Sequence, residues 1–450
     1  MLRSRRVGND LSLTESERLV TEEIERRRDE LVALATDLIG FDTISRDLDD
    51  PPREEANLQE YLAGRLRIAG AETEVWEPRP EDVAGSRLVP PGLGFDGRPQ
   101  MAARFPGAGD GRSLLFNGHI DVVPSAPRNQ WTSDPFQAEV REGNLYGRGA
   151  VDMKGGIATM VFAAEILASL GLRLVGDLVV CTVTDEESTG AGGVAAVNHG
   201  VGADAGIVTE STLFDVAIAC SGSLLPTITV LGRAGHVSVE QPHWKAGGAV
   251  NAIDKADVIR EALDRLQEQW HGRPEYQHPY LSPGHIITAE ISGGEWVVSY
   301  PSSCRLSYHV GYLPAQADED GWGTAVQAEI VDRIECAAKA DAWLAENPPT
   351  IEWATGGVPA AEISAEEPIV QTMLAAGADI GRPGQLAGTG WVDGATFTHS
   401  GTPSICFGPG DSRLAHAVDE HVPIDSLVHG AQALAIAALR FCGEARKPLM

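Results

Sequence analysis

The 450-residue chain predicts an α/β protein, a layered domain interrupted by a ferredoxin-like α+β insert. Three observations carry this. Between Arg112 and Glu210 short apolar runs alternate with helical patterns, as in GGIATMVFAAEILASLGL ahead of DLVVCTVTD, the βα rhythm of a layered domain. After Cys220 the order becomes strand, helix, strand, strand, helix, strand, which is the ferredoxin-like sequence of elements. From about Gly357 the chain returns to the first domain, because a last candidate site residue, His416, has to rejoin the others. The domains are therefore placed at 1–222 with 357–450, and at 223–356.

Each element has a local reason. In TESERLVTEEIERRRDELVALATDLIGFDT, apolar positions recur at helical spacing behind a capping box, Thr14 with Glu17 three residues on, which predicts one long first helix. Pro78 to Pro99, rich in Pro and Gly, reads as loop. In the insert, LLPTITVLG, HIITAEIS, CRLSYHVGYLP and TIEWAT read as strands, and AVNAIDKADVIREALDRLQEQW and TAVQAEIVDRIECAAKADAWL as helices. PPG, GRPG and FGPG are turns, and no repeat or low-complexity tract interrupts the pattern.

The segments that carry chemistry share a grammar. LLFNGHIDVVP ends in His119 and Asp121, GRGAVDMKGG holds Asp152, TDEESTGAGG holds Glu186 and Glu187, IVTES holds Glu210, and FGPGDSRLAHAVDE holds His416. In four of the five, an apolar run reads as a buried strand and the polar residues follow at its C-terminal end, the edge of an open α/β sheet where sites form. Two imidazoles and three carboxylates can hold two divalent metals if one carboxylate bridges, and the mixed N/O set suits zinc or its first-row neighbours better than magnesium or calcium. Asp121, two residues after His119 on the same side of an extended strand, is placed to hold the other imidazole nitrogen. Glu186, left without a ligand role, neighbours a ligand and is placed to act as general base on the attacking water. Any one of these residues alone reads as a cap, a turn former or a surface group. Five coordinated contexts in one chain do not.

These motifs, from GHIDVVP through GRGAVDMKGG, DEESTG and the Glu210 segment to FGPG with AHAVDEHVPI, resemble those of the M20 metallopeptidases. That group includes acetylornithine deacetylase, succinyl-diaminopimelate desuccinylase, aminoacylase-1 and carboxypeptidase G2, and the resemblance runs from about Leu31 to Leu439. It implies a zinc-peptidase-like catalytic domain with an inserted lid or dimerization domain. It also implies that His119 and Glu210 bind one metal, Glu187 and His416 the other, and that Asp152 bridges them. Asp121 would orient His119, and Glu186 would be the catalytic base. GRAGHVS followed by Asn251 looks like the segment whose histidine, here His236, reaches the partner subunit's active site and polarises the scissile carbonyl. By itself a His after Gly at a strand end is a turn residue.

The chain departs from that family at one place. Where relatives read D-x-R-x-x-P, with the Arg gripping a substrate carboxylate, this chain has HVGYLP, so His309 and Gly311 occupy those positions. Arg305, on the same side of the strand, is the candidate substitute, but it lies about 20 Å away along an extended chain. Trp391 and Val392 before Asp393 point to an apolar or uncharged acyl group.

Composition bounds the rest. A formal net charge of -29 argues against nucleic acid and anionic membranes as partners. The N-terminus has no secretory apolar stretch, and no run approaches the roughly 18 residues that would span a bilayer. Cys181, Cys220, Cys304, Cys336, Cys406 and Cys442 lack C-x-x-C spacing and read as buried thiols of a reducing cytoplasm. The combined expectation is a cytoplasmic homodimer with two divalent ions, Zn2+ or else Co2+ or Mn2+. It would cleave an N-acyl amide or a short peptide through water activated between the metals. A dipeptidase or carboxypeptidase is the alternative within this chemistry. A non-catalytic metal-dependent scaffold is opposed by the intact Glu186, and a two-metal phosphoesterase has only Lys154 and Arg148 as phosphate contacts.

Overall fold

The computed structural model describes residues 13–45, 50–353 and 357–445. The chain divides into two compact units. The first runs to Ile218 and takes up again at Ile363–Gly388 and from Val392; the second is Ala219–Glu362 with Thr389–Trp391.

The first unit is built on a mixed sheet. Its strands run in the order Glu72–Trp76, Gln100–Phe105, Leu178–Val183, Leu114–His119, Ala205–Val208, Ser404–Cys406. The last four are mutually parallel, and Gln100–Phe105 runs antiparallel to both of its neighbours. Every residue of Leu114–His119 is buried, as expected of a parallel strand covered on both faces, and this is why the strand opens on the unbroken apolar run Leu114–Phe116 and not on an alternation. Helix Lys154–Ser169 covers one face. At Gly118 the packing is close, since a Cβ would sit 2.8 Å from Cε of Met153 and 2.9 Å from Cγ1 of Ile157. On the other face Leu115 packs with Cys181, Val183, Ala196 and Phe397. A separate three-stranded sheet pairs His421–Pro423 with Asn144–Tyr146 and Glu139–Arg141. It brings the residues before His421 beside the turn that carries Asp152.

The start of the chain differs from expectation. The capping box is present, with the Thr14 N–H donating to Glu17 Oε2 at 2.7 Å and the Glu17 N–H to Thr14 Oγ1 at 3.2 Å. The single long helix, however, is two, Glu15–Arg26 and Arg28–Ile39, broken at Arg27. The apolar stripe of Val20 and Ile24 resumes only at Leu31, and a straight helix would carry arginines 27 and 28 onto the buried side. The break lets them reach Glu30, Glu25 and Asp425 instead.

The second unit holds the strands Pro226–Leu231, His285–Gly293, Ser303–Tyr312 and Thr350–Trp353 and the helices Ala252–His271 and Thr324–Ala340. Taken in chain order, the strands lie in the sheet as second, third, first, fourth, all antiparallel. That is the ferredoxin-like arrangement expected from the βαββαβ order. Both helices pack into one core with Ile228, Val230, Leu306 and Val310, but Cys336 lies on the outer side of Thr324–Ala340 and is exposed, unlike the other five cysteines and contrary to the expectation of six buried thiols.

Candidate metal centre

The C-terminal ends of the parallel strands converge. His119 closes its strand opposite Val183, from which the chain turns into Asp185, Glu186 and Glu187; Asn117 lies opposite Val208, two residues before Glu210. Gly156, at the start of the helix after Asp152, lets that helix approach the Thr209 backbone more closely than any Cβ would permit.

The side chains meet in a tight cluster. His119, 1% exposed, directs Nε2 to Glu210 Oε1 at 2.8 Å and to Asp152 Oδ1 at 3.2 Å, with Glu186 Oε2 at 3.9 Å. His416 Nε2 lies 3.1 Å from Asp152 Oδ2 and 3.2 Å from Glu187 Oε2. Asp152 thus gives one carboxylate oxygen to each imidazole. Two sets of donor atoms lie within 4.8 Å of one another: His119, Asp152 and Glu187, and His119, Glu186 and Glu210. Glu186 therefore stands near enough to be counted with the ligands as well as in its expected role as base.

Asp121 works in two directions. His119 Nδ1 lies 2.9 Å from the Asp121 carbonyl, while the carboxylate is farther, at 3.5 Å. That carboxylate instead accepts the N–H groups of Glu186 and Glu187 at 3.2 and 3.1 Å. It fixes the turn on which both glutamates sit. Backbone strain marks the same places: Asp185 and His416 both adopt φ of 61°, a left-handed conformation costly for side-chain-bearing residues.

Electrostatics show how tightly the acids of the cluster are crowded. Burial pushes Glu186 well above the usual carboxylate range, and Glu210 up to about 7, with neighbouring carboxylates adding to both. Burial also works against a charged His119, yet the carboxylates around it hold its pKa well above the ordinary value. Hydrogen bonds to Asp152 and Glu187 raise His416 to about 10. Asp152 stays below its usual range because the two imidazoles outweigh its burial. Crowded acids therefore hold extra protons, and one buried oxygen, Oε1 of Glu187, has no hydrogen-bond partner. Carboxylate oxygens and imidazole nitrogens that compete for protons in this way suit divalent cations, which replace those protons. With a side chain 54% exposed, His416 leaves the cluster open on its side.

His236 belongs to the second unit and is not a member of this cluster. Its ring is exposed, and Nδ1 accepts the Ser238 N–H at 3.1 Å, which leaves the proton of a neutral ring on Nε2.

Three residues around the cluster escaped sequence reasoning as site residues. Asp393 is 1% exposed, neither carboxylate oxygen has a hydrogen-bond partner, and burial raises it to about 7. A lone acid between Val392 and the buried Gly394 and Ala395 was the available signal. Arg148 and Glu420 form a buried ion pair at 2.6 Å. Their signals were an Arg in the Asp152 motif and an acid four residues after His416.

Comparison with known proteins places this arrangement. The chain is 28% identical over 443 residues to an N-formyl-4-amino-5-aminomethyl-2-methylpyrimidine deformylase of Bacillus subtilis, covering 94% of this chain and 97% of that protein. It is 31% identical over 384 residues to a succinyl-diaminopimelate desuccinylase of Ralstonia nicotianae, covering 82% and 90%. The fold is shared with an M20 family metallo-carboxypeptidase from Sulfolobus solfataricus, at a TM-score of 0.66 and 16% identity over 92% of this chain and 99% of that one. Human carnosine dipeptidase 1 matches at a TM-score of 0.65 and 14% identity over 95% and 99%. The model of peptidase family M20/M25/M40 matches residues 115–440, so the chain belongs to that family of hydrolases.

Proposed function

We propose that this protein is a metal-dependent amidohydrolase that removes an acyl group from the nitrogen of an amino acid or related amine. The observation that carries the reading is Asp152, whose two oxygens lie 3.2 Å from His119 and 3.1 Å from His416. One carboxylate between two imidazoles, each with its own glutamate, suits a pair of divalent ions, with His119 and Glu210 on one and Glu187 and His416 on the other. Zinc is the natural occupant of such a mixed N/O set, with cobalt or manganese as substitutes. Bound there, the pair supplies Lewis acidity toward a carbonyl and lowers the pKa of water.

The chain's own residues do the rest. Glu186, on the turn beside Glu187, takes a proton from the attacking water and returns it to the leaving amine nitrogen. Asp121 holds the turn that aims Glu186. His236, with its proton on Nε2, donates to the carbonyl oxygen as charge develops, acting from the partner subunit of a homodimer. In this reading residues 1–222 and 357–450 form the catalytic domain, 223–356 the lid and dimerization domain, and the enzyme works in the cytoplasm. Among the described residues no helix is long and apolar enough to cross a membrane.

Deacylation is preferred to peptide cleavage because both relatives compared by sequence are named for removing an acyl group, formyl or succinyl. The peptidases compared by structure share only the fold. The test is a panel of N-acyl amino acids, acylated amines and dipeptides, assayed with zinc- and cobalt-loaded protein. Turnover of acylated amines that a chelator abolishes supports the reading, and turnover of dipeptides alone sinks it.

A further inference from the structure

One ion pair outside the ligand set ties together the segments that carry it. Arg148 and Glu420 are 2% and 0% exposed. Glu420 Oε1 accepts the N–H groups of Val151 at 2.8 Å and Asp152 at 3.1 Å, while Oε2 takes Nη1 of Arg148 at 2.6 Å. Arg148 then reaches three carbonyls with longer bonds: Pro124 at 3.3 Å, Ala417 at 3.4 Å and His416 at 3.5 Å. Its guanidinium packs 5.0 Å from the Trp131 ring. Pro124 follows the His119 strand, Asp152 lies four residues beyond Arg148, and His416 four before Glu420. All three segments meet at one charge pair.

Stability alone is a poor reason for such a pair, since an apolar replacement of equal volume is often as stable. What apolar side chains cannot do is hold two N–H groups and three carbonyls in fixed places. A planar guanidinium fork and a two-oxygen acceptor can.

We propose that Arg148 and Glu420 are positioning residues. They set Asp152 with one oxygen toward His119 and the other toward His416, and hold the His416 backbone in its left-handed conformation, before any cation arrives. The proposal rests on the metal reading above and adds that the two metal positions are spaced by this pair.

The test uses Glu420→Gln, which keeps an acceptor for both N–H groups but removes the charge facing Arg148, and Arg148→Lys, which keeps the charge but loses the fork. Cobalt uptake by the metal-free protein is measured by equilibrium dialysis, together with the visible spectrum of the cobalt form and the thermal midpoint. Glu17→Gln, which breaks the Arg440–Glu17 pair outside the cluster, is the control. Both test variants are expected to weaken at least one cobalt site by about 10–100-fold, the usual cost of losing a group that orients a ligand, and to shift the spectrum. The control is expected to lower the midpoint and leave uptake and spectrum unchanged. A folded Glu420→Gln protein with wild-type affinity and spectrum overturns the proposal. Should neither variant fold, hydrogen exchange of the metal-free wild type decides it: protected amides at Val151 and Asp152 support a preset clamp, and exchange as fast as in an exposed loop overturns it. A wild type that takes up no cobalt overturns the metal reading itself, whatever the exchange shows.

Discussion

His119 and His236 are held in opposite ways. His119 is buried at the end of a parallel strand, with carboxylate oxygens of Glu210, Asp152, Asp121 and Glu186 within 4 Å of its nitrogens. His236 sits in the second unit on an exposed segment. That segment bridges to Ser299, and the Val237 N–H donates to the Val298 carbonyl at 3.1 Å. Around it Val239, Trp296 and Val297 are 56%, 68% and 89% exposed. The first histidine is held from all sides by the chain that carries it. The second stands among exposed apolar side chains, which supports the proposed homodimer.

The sharpest way to break this comparison is within the first region, because Glu186 and Glu187 are adjacent on one turn yet are assigned different work. Glu186→Ala is expected to keep two metals and lose about 10²–10⁴ in kcat, the worth of a positioned proton shuttle. Glu187→Ala is expected to lose a metal. Metal content by elemental analysis beside kcat separates them. Equal metal loss would show that Glu186 is a ligand, as its place beside His119 and Glu210 also allows.

How much of this was legible depends on the range of the interaction. The strand-end site residues proposed as ligands could be read because a strand buried on both faces is mostly apolar, so a His or acid at its end stands out. The ferredoxin-like order was legible for the same reason, each element showing its own period. The Arg148–Glu420 pair was not, because 272 residues separate its members and each looks like an ordinary charge. Asp393 was passed over because its one local signal, a lone acid after Val392, does not by itself tell a buried carboxyl from a turn. The break at Arg27 lay in the sequence as three consecutive arginines, but helical spacing on either side hid it.

A second prediction tests the exposed histidine. His236→Ala is expected to cost about 10²–10³ in kcat, as loss of one oxyanion donor does. Mixing it with Glu186→Ala under subunit exchange should restore activity, to about a quarter of wild type if subunits pair at random in a two-fold dimer. No recovery after verified exchange removes the trans role, as does an active monomer.

The third concerns protons in the buried cluster. Metals bind deprotonated ligands, and Glu210 and His416 are raised to about 7 and about 10. At neutral pH, protons on His416 and partly on Glu210 must leave when ions enter. Metal affinity should therefore rise with pH between about 7 and 10, by up to about tenfold per pH unit for each proton released. Cobalt titrations at several pH values check this, and affinity flat across that window would mean that the cluster is not the binding site.

The smallest effect is expected at the second unit's sheet, at the position where the motif of the resembled family carries an Arg. At Gly311 the space a side chain needs is taken by the His285 imidazole from the neighbouring strand. That ring stacks on His309, the planes 12° apart, with Nε2 of His285 3.0 Å from Nδ1 of His309. Burial, and then the neighbouring His285, lower the pKa of His309, so it carries little charge at neutral pH and is a poor substitute for a guanidinium. Masking the substrate's α-carboxylate as an amide is therefore expected to change kcat/KM by less than about tenfold, or ~1.4 kcal/mol. Gly311→Arg alone should fail to create a preference for free carboxylates, because the new side chain collides with His285. Paired with His285→Ala it should create one, through two directed charge-assisted hydrogen bonds. A loss on the order of 10³-fold when only the carboxylate of the best substrate is masked would show that another cation, with Arg305 the first to test, already holds it.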